Sequence, residues 1–153
     1  MRIVVRGRLP KAFAIPRKAV AEAARMFAEA SARRVGAFWH EVTVHLVDDC
    51  ESAAVHMQAM GIAGATDAIT LAYDAIPPES PGLFGELFIN TEQAMREAQR
   101  INRRNWTPAN ELLLYIAHGM DHLSGADDAG EKDYRAMRRR ELAWLRSVKY
   151  LMA

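Results

Sequence analysis

The chain has 153 residues, half of them apolar and a quarter charged, which fits one domain with a sizeable core and excludes a disordered or low-complexity segment. Twenty Lys and Arg against 19 Asp and Glu leave a net charge of +1, so any attraction for nucleic acid has to come from local patches. Cys50 is the single cysteine, which removes disulfide frameworks and thiolate zinc clusters and leaves His, Asp and Glu as metal ligands.

MRIVVRGRLPK, at the start of the chain, lacks the apolar region of a signal peptide, and no apolar run approaches the roughly 20 residues that span a bilayer. A cytoplasmic protein without membrane contact is expected. RIVVRGR reads as a strand. Pro16 opens a helical pattern in which Val20, Ala23, Ala24, Phe27 and Ala30 share a face, ending between residues 33 and 36. HEVTVHLVDD alternates, with Val42, Val44 and Leu46 on one side and Thr43, His45 and Val47 on the other, as a strand requires. Asp48 or Asp49 caps a short helix through Met60, GIAGA breaks it, and DAITLAY follows as a strand. PPESPG is a loop and ELFIN a fourth strand. Thr91 caps a helix to about Arg104, Thr107 followed by Pro108 starts another, and an amphipathic helix from about Gly130 to Lys149 closes the chain. There is no internal repeat, and one domain over residues 1–153 is expected.

The chemistry concentrates in HGMDHLSGADD, residues 118–128. His118 and His122 stand at i and i+4, which puts both imidazoles on one helix face, a turn apart. Gly125 can end the helix in the left-handed conformation and turn the chain back, so that Asp128 reaches the same point. Two imidazoles and a carboxylate form a zinc set with the fourth position open, the requirement of a catalytic site. The pattern resembles the metzincin arrangement with its third ligand changed. A zinc peptidase needs Glu directly after the first His, and Gly119 stands there, so peptidase chemistry is not expected. Asp121 flanks the metal face by about 60° and could act as a base or support a ligand, or pair with a basic neighbour. Asp127 reads as a cap or ligand support rather than a ligand.

These residues resemble the YbeY endoribonucleases, or rRNA maturation factors, whose motif reads H-G-x-L-H-L-x-G-Y-D-H. His118, Gly119, His122, Leu123, Gly125 and Asp127 match in register, while Asp121 replaces a leucine, Ala126 a tyrosine and Asp128 the third histidine. TDAITLAY resembles the family's T-D-V-L-S-F segment and GELFIN its G-D-I strand, with Thr66 and Asp67 read as supports and Glu86 keeping an acid. Met137 and Glu141 fall where the closing helix of that family carries such residues. The resemblance implies an α+β fold, a small mixed sheet of about four strands packed with helices, with zinc at the end of the helix carrying HxxxH. It implies cleavage of single-stranded RNA, maturation of the end of small-subunit ribosomal RNA and a part in ribosome quality control, with small ribosomal subunit proteins as possible partners.

A second departure lies upstream. The family's N-x-x-Y-R falls on His56, Ala59 and Met60, so the arginine used near the metal is missing. His56 with a nearby arginine is one way to restore the charge on phosphate. Arg96, Arg100, Arg103 and Arg104 recur at helical spacing, and Arg135, Arg138, Arg139 and Arg140 crowd the last helix, although interspersed acids also fit solvated faces. Arg103 and Arg104 are the candidates for RNA contact, with Trp106 and Phe84 as stacking residues. The expectation is a zinc-dependent, single-strand-specific endoribonuclease with His118, His122, Asp128 and Asp121 at its centre. A noncatalytic, metal-stabilised ribosome assembly factor and a zinc hydrolase of another substrate are the alternatives.

Overall fold

A computed structural model of the protein describes residues 1–152. Their order is β1 (Arg2–Gly7), α1 (Arg17–Val35), β2 (Trp39–Val47), α2 (Asp49–Met60), β3 (Ala68–Asp74), β4 (Leu83–Asn90), α3 (Thr91–Ile101), α4 (Pro108–Leu123) and α5 (Glu131–Ser147), with short 3-10 turns at Lys11–Phe13 and Lys149–Met152. The strands form one sheet in the order β1-β2-β4-β3, with β3 antiparallel to β4 and the other pairs parallel. The fold is α+β, as expected.

The alternation in β2 sets which face is covered. Val42, Val44 and Leu46 pair with Gly85, Leu87 and Ile89 of β4, and all six are buried beneath α1 and α4. The opposite face carries His45, whose Nε2 lies 3.0 Å from Glu86 Oε1, and Tyr73, whose hydroxyl donates to Glu86 Oε2. Glu86 therefore braces side chains on the sheet face away from α4. Val20, Ala23, Ala24 and Phe27 of α1 fill the core with Leu112, Leu113, Ile116 and Met120 of α4, while Ala30 is only half-buried. Each large apolar side chain contributes about 1.5–3 kcal/mol by its burial, so α4 is held by its core face independently of its site face.

Local chemistry fixes the helix ends. Asp48 caps α2 in a reciprocal box with Glu51, and Gly61 closes that helix at φ 68°. Thr107 and Asn110 form the corresponding box on α4, with Pro108 in its first turn. The start of α3 differs from expectation: Asn90 is the cap, accepting from Gln93 N at 3.1 Å, while the Thr91 hydroxyl donates to Val47 O. That helix also stops early, because Asn102 takes a left-handed conformation at φ 49° and donates to Ala98 O. Arg103 and Arg104 consequently sit in the turn between α3 and α4. The last helix ends at Ser147, short of Lys149.

Gly119 explains why no acid follows the first histidine. A Cβ there would lie 2.9 Å from Leu87 Cδ2, and one at Gly85 would lie 3.0 Å from Leu123 Cδ1. The end of α4 is thus pressed against β4 at positions without side chains, and the His118 face points the other way.

Candidate metal centre

His118 and His122 lie on the exit turn of α4, and the chain reverses through Gly125, at φ 93°, to bring Asp128 back to them. The two Nε2 atoms are 3.0 Å apart, and Asp128 Oδ2 lies 3.6 Å from His122 Nε2 and 4.0 Å from His118 Nε2. Zinc bonds of about 2.0–2.2 Å in tetrahedral geometry require donor atoms about 3.3 Å apart, and these separations bracket that value. Among the described residues no other group of His, Cys, Asp or Glu comes together in this way.

The orientation of each imidazole is set from behind. Glu141 of α5, only 1% exposed, lies with Oε1 2.6 Å from His118 Nδ1, and the carbonyl of Ala126 lies 3.1 Å from His122 Nδ1. Each Nδ1–H donates to its oxygen, which leaves both Nε2 lone pairs facing the same point. Two lone pairs at 3.0 Å are compatible only with a cation or a proton between them, so the donor set fits a metal. Burial opposes the charged form of His118, but the hydrogen bond and charge of Glu141 outweigh it and raise its pKa above the ordinary value. Arg138 stands behind Glu141, with NH1 3.7 Å from Oε2 and its guanidinium over the Tyr134 ring.

The other residues singled out in the sequence occupy different places. Asp121 is fully buried and takes a hydrogen bond from Arg140 Nε at 2.8 Å, with Arg34 NH2 at 3.5 Å. Its carboxylate thereby ties α5 and α1 to the end of α4 and stands outside the donor group. Asp127 accepts from Ala129 N, a turn cap. His56 Nδ1 lies 2.8 Å from Gly64 O and fixes the loop after α2, while Met60 is 59% exposed. Asp67 takes the Ala68 N–H and the Thr66 hydroxyl, and Thr66 N donates to Ser52, so this pair shapes the entry to β3. Asp67 also adds a small upward push to the His118 pKa.

The family model described as Endoribonuclease YbeY matches residues 11–149. The chain belongs to the YbeY family. Among curated relatives named Endoribonuclease YbeY, that of Chlamydia pneumoniae is 29% identical over 103 residues, covering 67% of this chain and 65% of the relative. That of Rhodopirellula baltica is 32% identical over 107 residues, covering 70% and 53%, and that of Micrococcus luteus is 33% identical over 102 residues, covering 63% of each. The match therefore spans less than two thirds of the length of each of these YbeY proteins. The solution structure of a Thermotoga maritima protein shares the fold at a TM-score of 0.59 and 22% identity, covering 95% of this chain and 88% of that one.

Proposed function

We propose that the protein is a zinc-dependent endoribonuclease acting on single-stranded RNA, in maturation of the small-subunit ribosomal RNA end and in ribosome quality control. The observation that carries this reading is the convergence of His118, His122 and Asp128 on one point with both Nδ1 atoms already committed as donors. Zinc held there supplies Lewis acidity toward a phosphate oxygen and toward water. The chain's own part is positional: Glu141 and the Ala126 carbonyl keep the imidazoles in one tautomer, and Asp121 anchors the turn that carries Asp128. His56, Arg103 and Arg104 meet the RNA backbone. Residues 1–153 work as one domain in the cytoplasm, beside ribosomal RNA and small-subunit proteins. No helix among the described residues is long and apolar enough to cross a membrane.

A fluorescently tagged single-stranded RNA, incubated with the purified protein before and after chelation, tests this reading. Cleavage lost on chelation and restored by zinc is expected; cleavage indifferent to chelation contradicts it. A second reading, a metal-stabilised assembly factor without cleavage, is favoured by the uncharged, exposed Met60. Zinc binding and a zinc-dependent rise in stability with no RNA cleavage would select it.

A further inference from the structure

Along α4, Glu111, Tyr115, His118 and His122 follow one another at helical spacing, so a single face runs from the metal donors to Glu111, about 10 Å along the axis. Two cavities open along this face. One of about 490 Å³ is bordered by Thr66, Asp67, Tyr115, Glu111 and Arg138, and the next, of about 520 Å³, by Arg100, Arg103, Trp106, Glu111 and Arg138. Glu97, Glu111 and Arg138 border both, so the two cavities adjoin along one cleft-like stretch of surface. Arg138 is also the residue that leans on Glu141, the partner of His118. Each cavity falls in the size range of small-ligand sites.

Glu111 is the unusual group in this cleft. It is 4% exposed on an otherwise apolar stretch of helix, and its Oε2 takes the Trp106 Nε1–H at 2.6 Å. Its Oε1 takes no hydrogen bond from the described residues, yet it is not sealed from the cavity. That oxygen of a largely buried carboxylate therefore keeps its lone pairs for a donor that enters the cavity. Burial accordingly raises its pKa, opposed by the Trp106 hydrogen bond. Around it, Arg100 is tied to Glu97, while Arg103 makes no ion pair among the described residues.

We propose that this cleft is a base-recognition subsite for a guanine nucleotide of the substrate strand, with Glu111 accepting the base and Arg103 facing its phosphate. The proposal rests on the reading of the metal site as an RNA-cleaving centre. The base follows from the acceptor. An ionised carboxylate only accepts, and two of its lone-pair sites match two neighbouring N–H donors. Guanine presents such a pair, its ring N–H beside its amino group, whereas adenine and cytosine place a ring acceptor beside their amino group and uracil sets its single N–H between two carbonyls. Trp106 and Leu142 supply the apolar wall for the ring.

Calorimetric titration of the zinc-loaded protein with guanosine, inosine and adenosine monophosphates tests this. Guanosine monophosphate should bind roughly tenfold or more tightly than adenosine monophosphate, the discrimination of a bidentate contact, with inosine between them. Glu111→Gln, which retains an acceptor for Trp106, should level the three. Equal affinities in the parent protein, or a guanine preference unchanged in Glu111→Gln, would overturn the proposal. The parent series decides even if the variant does not fold. Guanine preference without RNA cleavage would refute the nuclease reading and leave the subsite standing; RNA cleavage with equal nucleotide affinities would refute the subsite alone.

Discussion

Replacing Glu141 by Gln removes the charge behind His118 while keeping shape and one acceptor, and it tests how the metal site is organised. In the parent, the His118 Nδ1–H meets a carboxylate at 2.6 Å that is 1% exposed, a short, charge-assisted and solvent-shielded bond. Loss of such a partner to a ligating imidazole lowers metal affinity about 10–100-fold. That is about 1.4–2.8 kcal/mol at room temperature. Competition with a chromophoric zinc chelator measures it, with circular dichroism as the control for folding. The metal-free protein gives an independent sign. Because His118 titrates above its ordinary value in the folded state, its stabilising contribution is complete below about pH 6.5 and is lost as pH rises through the higher folded pKa. Glu141→Gln should flatten that limb of the stability profile. A folded Glu141→Gln protein with unchanged zinc affinity and an unchanged limb would refute the reasoning.

The remaining predictions concern the ligands, the missing arginine and the acid limit. Elemental analysis should find zinc lost from His122→Ala and reduced in Asp128→Ala, but retained in Asp127→Ala, since Asp127 only caps the Ala129 N–H, and in Cys50→Ala, since Cys50 is exposed outside the donor group. Met60→Arg should raise cleavage of single-stranded RNA by adding a cation for charge developing on phosphate, read as a change in kcat/KM. Arg96 and Asn90 hydrogen bonds hold Asp49 at a pKa of about 2, so its contribution is present above about pH 3.8 and lost as pH falls toward 2. Arg96→Met should therefore move acid unfolding, followed by circular dichroism, to higher pH, and only slightly, because an exposed pair contributes about 1 kcal/mol or less.

Local signals carried most of the fold and the convergence of His118, His122 and Asp128. The β2 alternation, the Asp48 and Thr107 caps and the His118–His122 spacing each depend on neighbours within a few residues, and each stands in the structure where the pattern places it. Asp128 was legible for the same reason, because Gly125 forces the reversal that returns it. What escaped depends on contacts between distant elements. Glu141 was noted only by family position, since its use as the His118 partner needs α5 laid against α4. The engagement of Asp121 by Arg140 and Arg34 joins three helices, and nothing in the local spacing separates it from a carboxylate aimed at the metal. The early stop of α3 turned on Asn102, a residue that tolerates the left-handed conformation, and it moved Arg103 and Arg104 off the helix and into the turn.

Anomalous scattering at the zinc edge, collected from crystals grown with zinc, tests the central claim most directly. The account predicts one strong peak within about 2.0–2.2 Å of His118 Nε2, His122 Nε2 and an Asp128 carboxylate oxygen. A peak bound through Asp127 or Asp121 instead, or no peak between the two imidazoles, would contradict it.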